Sequence, residues 1–222
     1  NFGEILGGYR VVDSLATLAF GAREKRRRVF FKSELLALET IKNEIGIEVE
    51  SLLGSWAGAF GHTQFMPTTY LKFSAPFEIK KVPNIWNKEN PLDALSSTAC
   101  YLMNSGWSRE GFILKNVPKP KSLDYLKTGI NLTEEMGFTA PFGYSGPHFK
   151  FGKNASAIFH YNRSEFYVFS VWVLSSALQG SPQKIVWPKD RGQINSSEIS
   201  VMQERLTILG YDTLGVDGKL GL

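Results

Sequence analysis

The stretch Gly54–Tyr70, GSWAGAFGHTQFMPTTY, places a run of very small residues directly before a polar and aromatic segment. Three glycines and two alanines fall within its first eight residues, and Gln64 and Pro67 follow. Such small side chains allow another group to approach the backbone closely. That group is either a neighbouring helix packed tightly against the glycines, or a bulky ligand lying on a cleft floor of bare main chain.

The ligand alternative requires polar contacts beside the glycines, and Ser55 and Gln64 supply side chains that both donate and accept hydrogen bonds. Carbohydrate fits this pattern, because sugar rings have apolar faces and polar rims and bind to aromatic platforms beside hydroxyl and amide groups. Further candidate contacts come from the segment HYNRSEFY and from one earlier tyrosine: Tyr101, Tyr161, Asn162 and Tyr167. Each tyrosine taken alone is better explained as a core-capping residue whose polar tip reaches water.

Length and composition are those of a globular protein. The chain has 222 residues, of which 43% are apolar and 21% charged, enough for one sizeable core, or for one domain and part of another. No apolar run reaches the roughly 18 residues that cross a bilayer. The most apolar segment, Phe166–Leu178, predicts a core helix instead.

The net charge of +4 favours an anionic partner only weakly. Cell-wall polymers, nucleic acid and acidic membranes all qualify. Part of the excess lies in REKRRR, Arg23–Arg28, for which a solvated basic face is the favoured interpretation. No helix-turn-helix pattern or aromatic-interleaved sheet motif accompanies it, so nucleic acid is not expected as a partner.

Cysteine and histidine content argues against disulfides and metal sites. Cys100 is the single cysteine, so no intrachain disulfide is possible, and its apolar helical setting predicts a buried structural thiol. His62, His148 and His160 are too scattered to suggest zinc.

Two helices are predicted in the first fifty residues. VVDSLATLAF predicts a helix that begins at Asp13 or Ser14. KSELLALETIKNEIG predicts a second helix, capped by Ser33 and ended by Gly46 in a left-handed conformation. Its apolar stripe consists of Leu38, Ile41 and Ile45.

Two further helices follow a change of pattern. NPLDALSSTACYLMNSG predicts a helix with Asn90 as cap, Pro91 in its first position and Gly106 at its end. Ser164 is expected to begin the helix that runs through Leu178. Between Lys115 and Phe149 the sequence predicts loops with short strands, so the fold class is mainly α with a less regular insertion.

The order of these segments resembles the lytic murein transglycosylase B family over Asn1–Gln179. The most specific element is the run GS-aromatic-AGA-x-G-x-x-QFMP-x-x-Y, matched by the opening stretch. After a Pro- and Gly-containing segment, MQERLTILGY and VDGKLGL resemble the opening of a small three-helix peptidoglycan-binding domain. The resemblance implies a lysozyme-like catalytic domain over residues 1–180, a linker over 181–196 and the start of the binding domain over 197–222, with the chain truncated at both ends.

The family cleaves the bond between N-acetylmuramic acid and N-acetylglucosamine without adding water. One glutamate serves as acid and then base. In the family it begins a Glu-Ser/Thr-x-aromatic-Gly run, and here Asn1, Phe2 and Gly3 match only the last three positions. The acid is therefore expected two residues before Asn1. Neither Glu4 nor Glu34 is a candidate; Glu34 is expected in a helix's first turn, where its charge favours the dipole.

Matched residue by residue, the resemblance assigns six positions to the substrate cleft: Ser55, Gln64, Tyr101, Tyr161, Asn162 and Tyr167. Relatives often carry an acidic calcium loop, but this chain has APFEIKKVPNIWNKENP in its place, so no metal or other cofactor is expected. The expected partner is peptidoglycan glycan strands in a bacterial periplasm or cell envelope, bound by a monomer without membrane insertion.

Two alternatives remain at this stage. The chain would be a non-catalytic wall-binding module if no acid serves it. Less favoured is a nucleic-acid-binding protein that uses the basic run Arg23–Arg28, whose binding would weaken steeply with salt.

Overall fold

The structure is a computed structural model of the 222-residue chain, and it describes residues 6–79, 81–118, 137–141, 146–186 and 196–219. Helices dominate this part of the chain, which confirms the predicted mainly α class. The helices are α1 Val11–Gly21, α2 Lys25–Thr40, α3 Pro67–Phe73, α4 Leu92–Asn104, α5 Lys153–Tyr161, α6 Glu165–Leu178 and α7 Ser196–Ile208.

The strands are short and form two antiparallel sheets. β1 (Tyr9–Arg10) pairs with β2 (Leu53–Gly54). β5 (His148–Phe151) lies between β3 (Leu114–Val117) and β4 (Phe138–Thr139). This three-stranded sheet confirms the short strands predicted between Lys115 and Phe149, although residues 119–136 and 142–145 of that region lie outside the described part.

Helices α1 and α2 form an antiparallel hairpin, and both begin earlier than predicted. α1 begins at Val11 rather than at Asp13 or Ser14, and no side chain caps it. α2 begins at Lys25 rather than at Ser33, because its basic residues are good helix formers and extend the helix toward its N-terminus. The Ser33 hydroxyl accordingly donates to the Phe30 carbonyl within the helix instead of capping it.

Glu34 therefore lies well inside α2, and its predicted place in a first turn is wrong. The helix continues through a π-helical turn, Ile41–Ile45, to Gly46 at φ 76°, which confirms the predicted left-handed stop. Leu38 and Ile41 are buried, as the predicted stripe requires.

Of the two later helices, α6 has its predicted cap, whereas α4 begins at Leu92, so Pro91 is the cap residue rather than the first helical residue and the predicted Asn90 cap is wrong by one position. The Asn90 side chain accepts from the Leu92 N–H at 3.1 Å at the start of α4, and Gly106 follows the helix end at φ 93°. The Ser164 hydroxyl accepts from the Tyr167 N–H at the start of α6. α6 is not a fully buried core helix, however: Trp172 faces the core while Leu178 is exposed.

Apolar residues form two clusters. The first joins α1 and α2 to the segments around Phe60, Tyr70 and Ile85. The second lies between the three-stranded sheet and helices α5 and α6, around Phe149 and Phe169. The candidate site residues Tyr101 and Tyr161 pack against the first cluster from its edge.

The described part of the C-terminal region contains α7 and a turn held by one glutamine. The Gln203 side chain accepts from the Asp217 and Gly218 N–H groups and donates to the Lys219 carbonyl. In α7 Ile199 is buried, whereas Leu209 lies beyond the helix and is exposed. The domain boundaries at 180 and 197 stay predictions, as does the linker, of which residues 187–195 lie outside the described part.

Across the described ranges, no helix has the length and hydropathy needed to cross a membrane.

Candidate active site

The glycine-rich loop begins in a tight contact between backbone segments. A Cβ added at Gly54 would lie 2.3 Å from the carbonyl oxygen of Ala59. A Cβ added at Gly7 would lie 2.0 Å from the carbonyl carbon of Gly54. Both distances are far below van der Waals contact, so side-chain-free residues are required for these segments to meet.

The same holds further along the loop. A Cβ at Gly58 would lie 2.4 Å from the Leu15 side chain, and one at Gly61 would lie 2.7 Å from Ile85. These glycines pack tightly against the protein itself. The expected helix partner is the nearest neighbour only for Gly58, which meets Leu15 of α1, whereas Gly54 and Gly61 lie closest to non-helical segments. The expectation that they form a bare cleft floor beneath a ligand is wrong for these positions, because neighbouring atoms of the chain already fill that space.

Ser55 shapes the loop with its hydroxyl oxygen. This oxygen accepts from the Ala59 N–H at 3.1 Å and from the Ala57 N–H at 3.3 Å. The backbone closes the same turn, since the Ser55 N–H donates to the Ala59 carbonyl at 2.8 Å. A hydroxyl also carries one hydrogen to donate, so the half-buried Ser55 retains a donor beyond its role in the turn.

Gln64 has a backbone conformation that is unusual for its residue type. Its φ is 49°, in the left-handed region, where a non-glycine residue is strained by about 1 kcal/mol or more. The side-chain amide donates to the Gly61 carbonyl at 2.8 Å and to the Leu6 carbonyl at 2.9 Å. Gln64 therefore joins the N-terminal segment to the loop while its side chain stays exposed.

Tyr161, the last residue of α5, binds the residue before Gln64. Its hydroxyl donates to the Thr63 carbonyl. Its ring lies edge-on to Tyr101 at 5.3 Å and parallel to Tyr167, with ring centroids 6.2 Å apart and an interplanar angle of 3°. This hydrogen bond helps to hold Tyr101, Tyr161 and Tyr167, the tyrosine group of α4, α5 and α6, against the loop that contains Thr63 and Gln64.

Tyr101 is held in the same way by a backbone acceptor. Its hydroxyl donates to the His160 carbonyl at 2.9 Å, and its ring packs edge-on against Phe73 at 4.9 Å. Burial raises the pKa of Tyr101, Tyr161 and Tyr167 above the ordinary tyrosine value. All three hydroxyls therefore stay protonated at neutral pH.

Asn162 follows α5 directly and is exposed. Its N–H donates to the Ile158 carbonyl at 3.0 Å, and its carbonyl accepts from the Ser164 N–H at 2.8 Å. The extended backbone at Asn162 turns the chain between α5 and α6. Asn162 thus connects Tyr161, at the end of α5, to the start of α6, which carries Tyr167.

The six predicted residues divide into one group and one outlying member. Five lie around the Thr63–Tyr161 bond: Gln64, Tyr101, Tyr161, Asn162 and Tyr167. Ser55 is separated from these five residues by backbone that pairs with itself: Phe60 forms one β-bridge with Gly54 and another with Phe65. The loop therefore connects all six, although Ser55 makes no direct contact with the tyrosine group among the described hydrogen bonds and ring contacts.

A cavity of about 300 Å³ that no sequence pattern predicted lies beside the N-terminal segment. It is lined by Leu6, Gly7, Ser51, Leu52, Leu53, Trp86 and Lys88. None of the six predicted residues lines it, but Leu6 also accepts from Gln64, so the cavity adjoins the site. Its lining comes from three separate segments, which no local sequence pattern brings together.

Two carboxylates with structural roles were also missed. The Glu34 carboxylate accepts from the Thr68 hydroxyl at 2.7 Å and from the Thr68 N–H at 2.9 Å, at the start of α3. The Asp93 carboxylate accepts from the Phe77 N–H and the Asn84 N–H, both at 2.8 Å. Asp93 thereby closes the segment that replaces the acidic loop of relatives. Within the described ranges no cluster of three His, Cys, Asp or Glu residues is suited to hold a metal.

Comparison with known proteins defines the class. Residues 1–176 match the model of the family described as Transglycosylase SLT domain, and the chain belongs to this family. The resemblance found in the sequence is thereby confirmed for the catalytic region.

The relatives include the membrane-bound lytic murein transglycosylase B of Escherichia coli (strain K12). It is 29% identical over 196 residues, which are 80% of this chain and 53% of that protein. The chain thus spans about half the length of this curated relative.

Solved structures agree with this assignment. SltB3 from Pseudomonas aeruginosa, in complex with NAG-NAM-pentapeptide, matches with a TM-score of 0.77 and 32% identity, over 100% of this chain and 65% of that chain. The Escherichia coli lytic transglycosylase Slt35 in complex with calcium matches with a TM-score of 0.66 and 27% identity, over 80% of this chain and 62% of that chain. The predicted lysozyme-like fold is confirmed by these matches.

Proposed function

We propose that this chain forms the catalytic core of a peptidoglycan lytic transglycosylase. It breaks the β-1,4 bond between N-acetylmuramic acid and N-acetylglucosamine and leaves a 1,6-anhydro end. Family membership and the saccharide-bound SltB3 relative support this substrate class. The observation that carries the proposal is the hydrogen bond from Tyr161 to Thr63, which holds the tyrosines and Asn162 beside the Gln64 loop.

The reaction needs one carboxylic acid. It protonates the leaving oxygen and then accepts the proton of the muramic acid C6 hydroxyl, which attacks the anomeric carbon in place of water. We place this acid two residues before Asn1. Among the described residues, the Leu6 carbonyl accepts from the Gln64 amide, which supports a position of the N-terminal part of the chain close to the site. An apolar setting would raise the pKa of such a glutamate and suit it to donate a proton.

Three polar side chains are assigned to the substrate. Both amide hydrogens of Gln64 are used by backbone carbonyls, which leaves its side-chain oxygen to accept from a sugar hydroxyl or acetamide N–H. Ser55 offers its hydroxyl hydrogen. Asn162, exposed between α5 and α6, offers an amide that both donates and accepts.

The tyrosines divide into two roles. Tyr101 and Tyr161 donate their hydroxyls to backbone carbonyls, so they hold the wall of the site rather than bind sugar through their polar tips. Tyr167 is 36% exposed and lies parallel to the Tyr161 ring. Its ring is the platform that we assign to the apolar face of a sugar.

The proposed function also implies a location for the protein and a role for its C-terminal residues. The bacterial cell envelope is the expected location, because peptidoglycan lies there and the Escherichia coli relative is named as membrane-bound. Residues 197–222 would add affinity for the wall. The hydrogen bonds between the Gln203 side chain and Asp217 support an ordered start of a binding domain. No cofactor is assigned to the reaction.

The test is turnover of purified sacculi by the protein extended at its N-terminus through the expected glutamate. Gln64→Ala and Asn162→Ala are each expected to lower the rate of release by at least tenfold while both proteins stay folded by circular dichroism. Gln183→Ala, at an exposed glutamine outside the site, serves as the matched control and should retain the rate. Equal rates in all variants would contradict the assigned site.

The alternative of a non-catalytic wall-binding module makes a different prediction. Sedimentation with insoluble peptidoglycan, run beside the release assay on the same protein, separates the two. Binding without release by the extended protein would favour the binding module, and release would exclude it.

A further inference from the structure

We propose that the outer face of the α1–α2 hairpin is a docking surface for an anionic lipid bilayer. This hairpin face consists of Phe20, Lys25, Val29, Lys32 and Leu36. The proposal rests on the exposure, spacing and charge of these residues and is independent of the glycan-cleaving activity.

Positive charge is concentrated at the tip of the hairpin, in residues 20–36. The whole hairpin, Val11–Thr40, has six cations and four carboxylates, a net charge of +2, because it also contains Asp13 and the exposed Glu39, one turn beyond Leu36. Residues 20–36 contain six cations and two carboxylates, a net charge of +4 that equals the net charge of all 222 residues. One of the two carboxylates, Glu34, is only 2% exposed and points into the protein toward Thr68. The only acidic side chain of this segment that faces solvent is therefore Glu24.

Apolar side chains occupy the same outward face. Lys25, Val29, Lys32 and Leu36 follow one another at spacings of four, three and four residues, which places them along one side of α2. The opposite side, at Phe31 and Leu38, is buried. An outward-facing Val29 at 60% exposure and Leu36 at 64% alternate with the two lysines.

Phe20 at the end of α1 extends this pattern across the hairpin. Its ring is 70% exposed, and the Lys32 ammonium lies 5.3 Å from the ring centroid. The Arg28 guanidinium closes the tip between the helices by donating to the Ala22 and Arg23 carbonyls at 2.7 and 2.8 Å. An exposed phenylalanine thus lies beside a cation at this tip.

This combination suits a lipid surface better than a soluble polyanion. Nucleic acid or a charged wall polymer would neutralise the lysines but leave Phe20, Val29 and Leu36 in water. A bilayer interface binds the apolar and the cationic side chains together, since apolar side chains insert at the level of the headgroups while cations pair with anionic lipid phosphates. Docking of this kind is peripheral and needs no membrane-spanning helix.

Vesicle sedimentation tests the proposal directly. The protein is mixed with vesicles of equal parts phosphatidylglycerol and phosphatidylcholine, or of phosphatidylcholine alone, and bound protein is measured at low and physiological salt. We expect binding to the anionic vesicles only, weakening as salt rises. Lys25→Gln with Lys32→Gln should lower the partition coefficient at least tenfold. Val29→Ser with Leu36→Ser should lower it several-fold at unchanged charge.

Matched controls remove the same groups elsewhere. Lys72→Gln with Lys153→Gln removes two exposed cations from other helices, and Leu174→Ser with Leu178→Ser removes two exposed leucines from α6. Both should bind almost as the parent protein does. The proposal is overturned if the parent protein does not bind anionic vesicles at low salt, or if the controls lose as much binding as the hairpin variants. An unchanged partition of the Val29→Ser, Leu36→Ser variant would also overturn it and indicate a general polyanion surface.

Discussion

The Glu34 carboxylate binds Thr68 twice, through the threonine hydroxyl at 2.7 Å and through its backbone N–H at 2.9 Å. Glu34 is 2% exposed in the interior of α2, and Thr68 lies in the first turn of α3. The first N–H groups of a helix have no partner within the helix, so α2 supplies one from outside. This contact fixes the segment that follows Gln64 against the α1–α2 hairpin.

Glu34→Gln is expected to lower the free energy of unfolding by about 2 kcal/mol, because the amide retains one acceptor and turns a donor toward Thr68. Urea unfolding measures the change. Glu39→Gln, at an exposed glutamate of the same helix, is the control and should stay within about 0.5 kcal/mol of the parent. Equal stabilities for the two variants would show that the carboxylate contributes nothing to the contact.

Gly54→Ala is expected to destabilise the protein by more than about 2 kcal/mol, since the new Cβ would lie 2.3 Å from the Ala59 carbonyl oxygen and the backbone would have to move. Gly8→Ala provides the control, because no atom lies within 4 Å of a Cβ at that position. Thermal unfolding of both variants compares them. A Gly54→Ala protein as stable as Gly8→Ala would contradict the tight packing of the loop.

Substitution of Gln64 by glycine or by alanine removes the same side-chain amide, so a comparison of the two variants tests the backbone strain at this position. Gln64→Gly should be more stable than Gln64→Ala by about 0.5–1 kcal/mol, because only glycine adopts a φ of 49° without strain. At the exposed helical position Ala99 the order should reverse, with Ala99→Gly about 1 kcal/mol less stable than the parent. Urea unfolding gives both differences, and the same order at the two positions would exclude strain at Gln64.

The buried Tyr70 side chain is expected to lower the free energy of unfolding at alkaline pH. Burial raises its pKa from 10.0 to about 12, and its hydroxyl donates to the Pro83 carbonyl at 2.7 Å. Between these two pH values the unfolded chain loses a proton that the folded protein keeps. The free energy of unfolding should therefore fall by about 1.4 kcal/mol per pH unit from this residue, and its contribution is fully present below pH 10.

Tyr70→Phe removes this titration. The variant should be less stable than the parent by about 1 kcal/mol at pH 8, where the hydrogen bond is lost, yet its stability should decline less steeply above pH 10. Urea unfolding over this range compares the slopes. Parallel pH profiles would show that Tyr70 does not titrate differently in the two states.

Much of the fold could be predicted from the sequence because its signals are local. Ser164 caps α6 and Gly46 ends the turn after α2, each through contacts within a few residues. The start of α2 was not predicted because serine is a residue type that favours helix caps, but Ser33 lies inside a longer helix. There its hydroxyl donates a hydrogen bond to the Phe30 carbonyl. Propensity over the basic residues outweighed the cap signal.

The site was only partly predictable for a related reason. The motif Gly54–Tyr70 identified Gln64 and the segment HYNRSEFY identified Tyr161, but neither indicated the hydrogen bond that joins Tyr161 to Thr63 across 98 positions of the chain. Composition alone also left open what the glycines contact, and the answer depended on Ala59, Leu15 and Ile85. Contacts between distant segments have no signature in a single sequence.

The chemistry of the released glycan ends tests the proposed function most directly. Sacculi digested by the protein extended through the expected glutamate are separated by chromatography, and the muropeptide masses are measured. Products that end in 1,6-anhydro-N-acetylmuramic acid, 18 mass units below the reducing form because no water is added, are the predicted result. Release of reducing ends alone would identify a hydrolase and contradict the account.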